Sequence, residues 1–133
     1  MKRDLVAGID SSTQSCTVML RSLENGEVIA LARRPHPPTT PPCSEQAPEA
    51  WWDALGTALG ELKAWWPRIA GLAVGGQGHG LVMLDEYDTP LRPAKLWNDT
   101  ESAPQARELC RQILPAEWAR LTGSVPGPAM TIS

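Results

Sequence analysis

Apolar and polar positions alternate in short bursts at the start of the chain. Leu5 to Ile9 reads as a buried strand, Thr17 to Leu23 as a second and Val28 to Ala32 as a third. Between the last two lies "ENGE", whose Asn25-Gly26 pair predicts a two-residue hairpin, because both residues tolerate positive φ. The opening is therefore expected to be an antiparallel meander, with "GIDSSTQS" as its first turn. The segment from Arg33 to Pro48, "RRPHPPTTPPCSEQAP", predicts an extended loop, since proline donates nothing to a strand ladder.

The period then changes. Trp52, Leu55, Leu59, Leu62 and Trp66 recur at alternating spacings of 3 and 4, which predicts an amphipathic helix from about Pro48 to Trp66, stopped by Pro67. That stripe assigns Trp52 and Trp66 to the core and leaves Trp51 and Trp65 off it. "IAGLAV", residues 69–74, reads as a buried strand, "GGQGHG" as a glycine-rich crossing, "LVML" as another strand and "DEYDTP" as a turn. Pro93 to Leu96 leads into "WNDTES". A second helix is predicted from about Ser102 to Leu114, with Ala106, Leu109, Cys110 and Ile113 on one face, and a third from Ala116 to Leu121. This order is mixed α/β. The last stretch, "GSVPGPAMTIS", supplies no closing element, so the expectation is a chain cut inside a larger domain, with an unfinished core edge that leaves self-association, such as a homodimer, open.

Composition narrows the classes. With 133 residues, 42% apolar and 20% charged, the chain has the balance of a soluble domain that buries a core without metal or disulfide staples. A net charge of -3 argues against nucleic acid or an anionic membrane as the main partner. No apolar run reaches the length of a membrane span. Cys16, Cys43 and Cys110 are odd in number and scattered, which fits reduced thiols in the cytoplasm.

Three polar clusters interrupt the apolar runs at predicted strand ends. In the first, Asp10-Ser11-Ser12-Thr13-Gln14-Ser15, hydroxyls and backbone N–H groups suit an anion, and Asp10 could hold hydrated Mg²⁺ beside it. The same residues are also ordinary turn formers, and the glycine-lysine signature of a P-loop is missing. In the second, Gly75 to Gly80, four glycines allow close backbone approach, while Gln77 and His79 offer neutral donors and acceptors suited to a polyhydroxy ligand. In the third, Trp97 offers an apolar wall and Asn98 and Asp99 could bond sugar hydroxyls, with Asp99 or Ser102 equally suited to cap a helix. The histidines, His36 and His79, and the cysteines build no metal site, and no nucleophile–base–acid triad can be assembled locally.

Taken in order, "GIDSSTQS", "SEQAPEAWW", "GGQGHGLVMLD" and "LRPAKLWND" resemble the FGGY family of carbohydrate kinases, and its xylulose-phosphorylating branch in particular. The resemblance implies a ribonuclease-H-like (actin-like ATPase) fold, with ATP and sugar bound between two lobes, and ATP-dependent phosphorylation of the ketopentose D-xylulose. Residues 1–133 would be the N-terminal part of the sugar-binding lobe, with the ATP lobe absent. Asp10 would organise Mg²⁺ through water, and Ser12, Thr13 and Gln14 would face the γ-phosphate. Gln77, Gly78, His79, Asn98 and Asp99 would lie at the sugar. The general-base aspartate would lie beyond Ser133, so the chain alone is expected to be inactive. The family usually has a basic residue where Thr17 stands and methionine where Gly78 stands. A truncated, non-catalytic sugar-binding relative is the alternative reading.

Overall fold

The computed structural model describes residues 2–132, which divide into two compact units: residues 2–38 with 49–77, and residues 39–48 with 78–132.

In the first unit, β1 (Leu5–Ser11), β2 (Ser15–Ser22) and β3 (Val28–Pro35) form the expected antiparallel meander. β5 (Ile69–Gly76) adds to β1 in parallel, giving the strand order β3-β2-β1-β5. Alternation along the strands decides the faces. Ala7, Ile9, Cys16, Val18, Leu20 and Ala32 are buried together with Ala54, Ala58 and Leu62 from the helical segment that follows. Each fully buried leucine there contributes about 2 kcal/mol by leaving water. Where β1 and β5 begin, Arg68 Nε and Nη2 donate to the two Asp4 carboxylate oxygens, both at 2.8 Å, and Asp4 N donates to Arg68 O.

Several expectations need correction here. The β2–β3 connection is a five-residue loop, 23–27, rather than a two-residue hairpin. Only Gly26 takes positive φ (74°), while the Asn25 side chain accepts from Glu27 N. β3 runs on through Arg33–Pro35, because an outer strand tolerates a proline at its end. α1 (Pro48–Glu61) stops before Pro67, and the chain continues as a 3₁₀ turn over Lys63–Arg68. Its buried line is Ala54, Ala58 and Leu62 at four-residue spacing, so the stripe is rotated from the one read off the large side chains. Trp52 is 75% exposed and Trp66 half-exposed, whereas Trp65, expected off the stripe, packs against the core. β5 is not buried: Leu72 and Val74 are 66% and 68% exposed, since the core takes only Ile69 from this strand.

In the second unit a two-residue strand, β4 (Glu45–Gln46), pairs antiparallel with β6 (Ala94–Lys95). "LVML" is not a strand; it makes single bridges at Leu81 and Leu84. The Asp85 carboxylate accepts from Tyr87 N and Thr89 N, which closes the "DEYDTP" turn. α2 (Ala103–Gln112) and α3 (Pro115–Thr122) follow near their expected bounds. Ala94, Leu96 and Ala106 are buried. Among the described residues no helix is long and apolar enough to cross a membrane.

Candidate functional site

In the first unit the site begins with the turn between β1 and β2. Its three linking residues are Ser12, Thr13 and Gln14, closed by Ser12 N and Ser12 Oγ both donating to Ser15 O, at 3.0 and 3.2 Å. Thr13 Oγ1 donates to Gln77 Oε1 at 3.2 Å, and Gln77 N donates to Ser11 O at 3.1 Å. The turn is thereby tied to the end of β5. Gly76 eases that approach, because a Cβ there would lie 3.3 Å from Ser11 O, a tight contact. Gln77, expected at the sugar, is thus joined to the hydroxyl turn.

Asp10 stands exposed one residue before the end of β1, opposite Thr17 on β2 and Gly75 on β5. It borders a hollow of about 480 Å³ on the outer sheet face, lined also by Gly8, Thr17, Met19 and Ala73. A solvent-facing carboxylate at a strand end beside clustered hydroxyls fits a hydrated Mg²⁺ held through water, the usual mode for this hard ion.

The turn is also held from β3. His36 N donates to Gln14 O at 2.8 Å, and His36 Nε2 lies 3.4 Å from Ser11 Oγ, while the enclosed Nδ1 has no partner. Burial pushes the imidazole pKa below its ordinary 6.5. Above pH 6.5 the folded and unfolded chains are both neutral at this residue, so stability is flat. Below it the unfolded chain takes up a proton that the folded site resists, so stability is lost as pH falls toward the folded value. Urea midpoints measured at about pH 7.5 and 5.5 should therefore separate for the wild type, and the gap should narrow for His36→Gln, which does not titrate.

The second unit carries the remaining candidates. His79 is exposed with φ +59°, a left-handed conformation uncommon for a residue with a Cβ. Its neighbour Gly80 lies close to β6, where an added Cβ would be 3.5 Å from Lys95 O, and Leu81 and Lys95 exchange both backbone hydrogen bonds. Gly78 has open space around it. Asn98 is half-buried, with its amide oxygen enclosed and unpartnered, beside the 55% exposed Trp97.

Asp99 departs from the expected sugar-facing carboxylate. It is fully buried; Oδ2 accepts from Ser44 N at 2.9 Å and from Lys95 Nζ at 3.3 Å, and Oδ1 accepts from Glu101 N at 3.0 Å. Ser102 occupies the N-cap position of α2, but its hydroxyl accepts from Ala129 N rather than capping the helix. Glu45, Asp99 and Glu101 bring carboxylate oxygens within 4.8 Å of one another. Lys95 Nζ lies against all three, at 3.0, 3.3 and 2.5 Å, and Arg92 also pairs with Glu45, so cationic side chains already occupy the cluster. Glu101 first, then Glu45 and Asp99, hold the Lys95 pKa well above its ordinary value.

Two residues here lay outside the sequence reading. His36 and Arg33, whose Nε donates to Ser15 Oγ at 2.9 Å, were placed in a loop. Strand register could have found Arg33: Val18 opposite Ala32 faces the core, which sends Thr17 and Arg33 to the outer face.

The chain is 45% identical over 130 residues to a xylulose kinase of Streptomyces coelicolor, covering 97% of this chain and 27% of that protein. A xylulose kinase of Streptomyces rubiginosus is 42% identical over the same share of both chains. A crystal structure of xylulose kinase from Bifidobacterium adolescentis superposes with a TM-score of 0.82 at 38% identity, covering 98% of this chain and 28% of that one. The chain thus spans about a quarter of the length of these relatives, and its fold is the actin-like one expected. The model of the FGGY family of carbohydrate kinases, N-terminal domain, matches residues 5–133, and the chain belongs to that family.

Proposed function

We propose that this chain is the N-terminal part of the sugar-binding lobe of a cytoplasmic kinase that transfers the γ-phosphoryl group of ATP to D-xylulose, giving D-xylulose 5-phosphate. The observation that carries the reading is the hydrogen bond from Thr13 to Gln77. It joins the hydroxyl turn to Gln77 of the glycine-rich crossing, whose next residues in the chain, Gly78 and His79, are the sugar candidates. ATP and Mg²⁺ supply the transferable group and neutralise its charge when bound. Asp10 holds the hydrated ion, and the turn of Ser12, Thr13 and Gln14 faces the terminal phosphate, with Ser12 closing the turn through Ser15. Gly78, His79 and Asn98 meet the sugar hydroxyls. Asp99 acts behind them, fixing the loop that presents Asn98.

The test is a fusion of residues 1–133 to the rest of the Streptomyces coelicolor xylulose kinase, assayed with D-xylulose and MgATP. Turnover by the fusion, and none by the 133-residue chain alone, is the expected result. Sugar binding without turnover by the fusion would instead mark a non-catalytic relative. Within the fusion, His79→Gly should leave the melting temperature unchanged or raised, because glycine adopts φ +59° without strain. It should also raise the KM for the sugar about tenfold. An unchanged sugar KM would remove His79 from the site.

A further inference from the structure

The outer face of the first unit carries an arginine in an unusual situation. Asp10 pairs with Thr17 across β1 and β2, and Thr17 pairs with Arg33 across β2 and β3. Cross-strand partners share a face, so Asp10, Thr17 and Arg33 form one row at the end of the sheet that carries the hydroxyl turn. Arg33 is exposed, and its Nε donates at 2.9 Å to the hydroxyl of Ser15, itself only 3% exposed. Among the described residues Arg33 forms no ion pair, whereas Arg34 on the opposite face is paired with Glu61. The guanidinium is therefore anchored by one N–H next to the turn, while its two terminal amino groups stay available.

We propose that Arg33 is a binding residue for the transferred phosphoryl group, its two terminal amino groups forming a fork for phosphate oxygens beside Ser12 and Thr13. The inference rests on the kinase reading of the same turn. The chemistry is that of a planar guanidinium, which gives two parallel charge-assisted hydrogen bonds to one phosphate. Anchoring through Ser15 removes part of the side-chain entropy that a free surface arginine loses on binding. The row is also electrically ordered, with an anion at Asp10, a neutral hydroxyl at Thr17 and a cation at Arg33. A magnesium polyphosphate presents the complementary order, its metal toward Asp10 and its phosphate oxygens toward Arg33. Thr17 is short enough to leave the space above the middle strand open to it.

The experiment is a titration of the ¹⁵N-labelled 133-residue chain with tripolyphosphate, with and without Mg²⁺, followed by NMR. Saturable shifts of the Arg33 Nε–H and of the Ser12–Gln14 amides on one isotherm are expected. Arg33→Ala should weaken binding about tenfold, and Arg33→Lys less, since it keeps the charge and loses the fork. Arg21, on the same face at the far end of β2, is the control, and Arg21→Ala should bind as the wild type does. Arg33→Gln serves as a second variant should the alanine form fold poorly. Three results would overturn the inference: no saturable binding by the wild type, Arg33 variants that bind like the wild type, or equal weakening by Arg21→Ala. The fusion assay separates this from the kinase reading. An active fusion indifferent to Arg33→Ala refutes the role of Arg33 alone. An inactive fusion whose N-terminal part still binds tripolyphosphate through Arg33 refutes the kinase reading alone.

Discussion

In the fused kinase, Asp10→Ala should lower turnover by about a thousandfold while leaving the sugar KM within about twofold. The Asp10 side chain is exposed and makes no hydrogen bond among the described residues, and its strand is already anchored by Ile9 and Ala7. Its removal should therefore cost little folding stability, and a melting curve would check that. In-line phosphoryl transfer depends on positioning and charge neutralisation, so losing the carboxylate proposed to organise the metal should fall on turnover. Asp10→Asn keeps the shape and loses the charge, and should be nearly as slow. If either variant turned over at the wild-type rate, Asp10 would have no part in the reaction.

Asp99→Ala should act in the opposite way, on stability first. The carboxylate is fully enclosed, accepts from two backbone amides and faces Lys95. Deleting it strands the Ser44 and Glu101 N–H groups and one side of a half-buried ammonium. A loss of about 3 kcal/mol is expected for breaking such a buried charged pair. Urea unfolding would read the total, and hydrogen exchange at the Ser44 and Glu101 amides would locate it. The Asp99→Ala and Lys95→Met losses should fall short of additivity when combined, because each removes the same interaction. Equal and additive effects would mean that the two groups do not communicate.

How much of this was legible in the sequence depends on what each residue's position was decided by. The meander was readable because alternation and tight turns are local, and the Asp10–Thr13 turn followed from it. α1 starts where the pattern predicts, ends early at Glu61 and is rotated, because large apolar side chains do not mark its core face. The sheet instead accepts Ala54 and Ala58, while Trp52 stays in water. β5 was read as buried because "IAGLAV" is apolar, but burial needs a covering layer that these residues do not supply. β4 was invisible, being two residues long and defined only by a partner far along the chain. Asp99 looked like a ligand residue because its lone pairs could not be assigned before its neighbours were known. Arg33 and His36 were lost among prolines, although the ladder of β3 reaches through Pro35.

The division of the chain between its two units has a consequence for synthesis. Residues 39–48 belong with 78–133, yet they leave the ribosome before α1 and β5 of the other unit. Glu45 pairs with Lys95, about 50 residues later. At a translation rate of about 5–20 residues per second, the β4 segment waits several seconds for its partner while the first unit completes its sheet. The proline-rich stretch between His36 and Pro48 suits that interval. A segment poor in backbone donors offers growing strands little to pair with until β6 arrives.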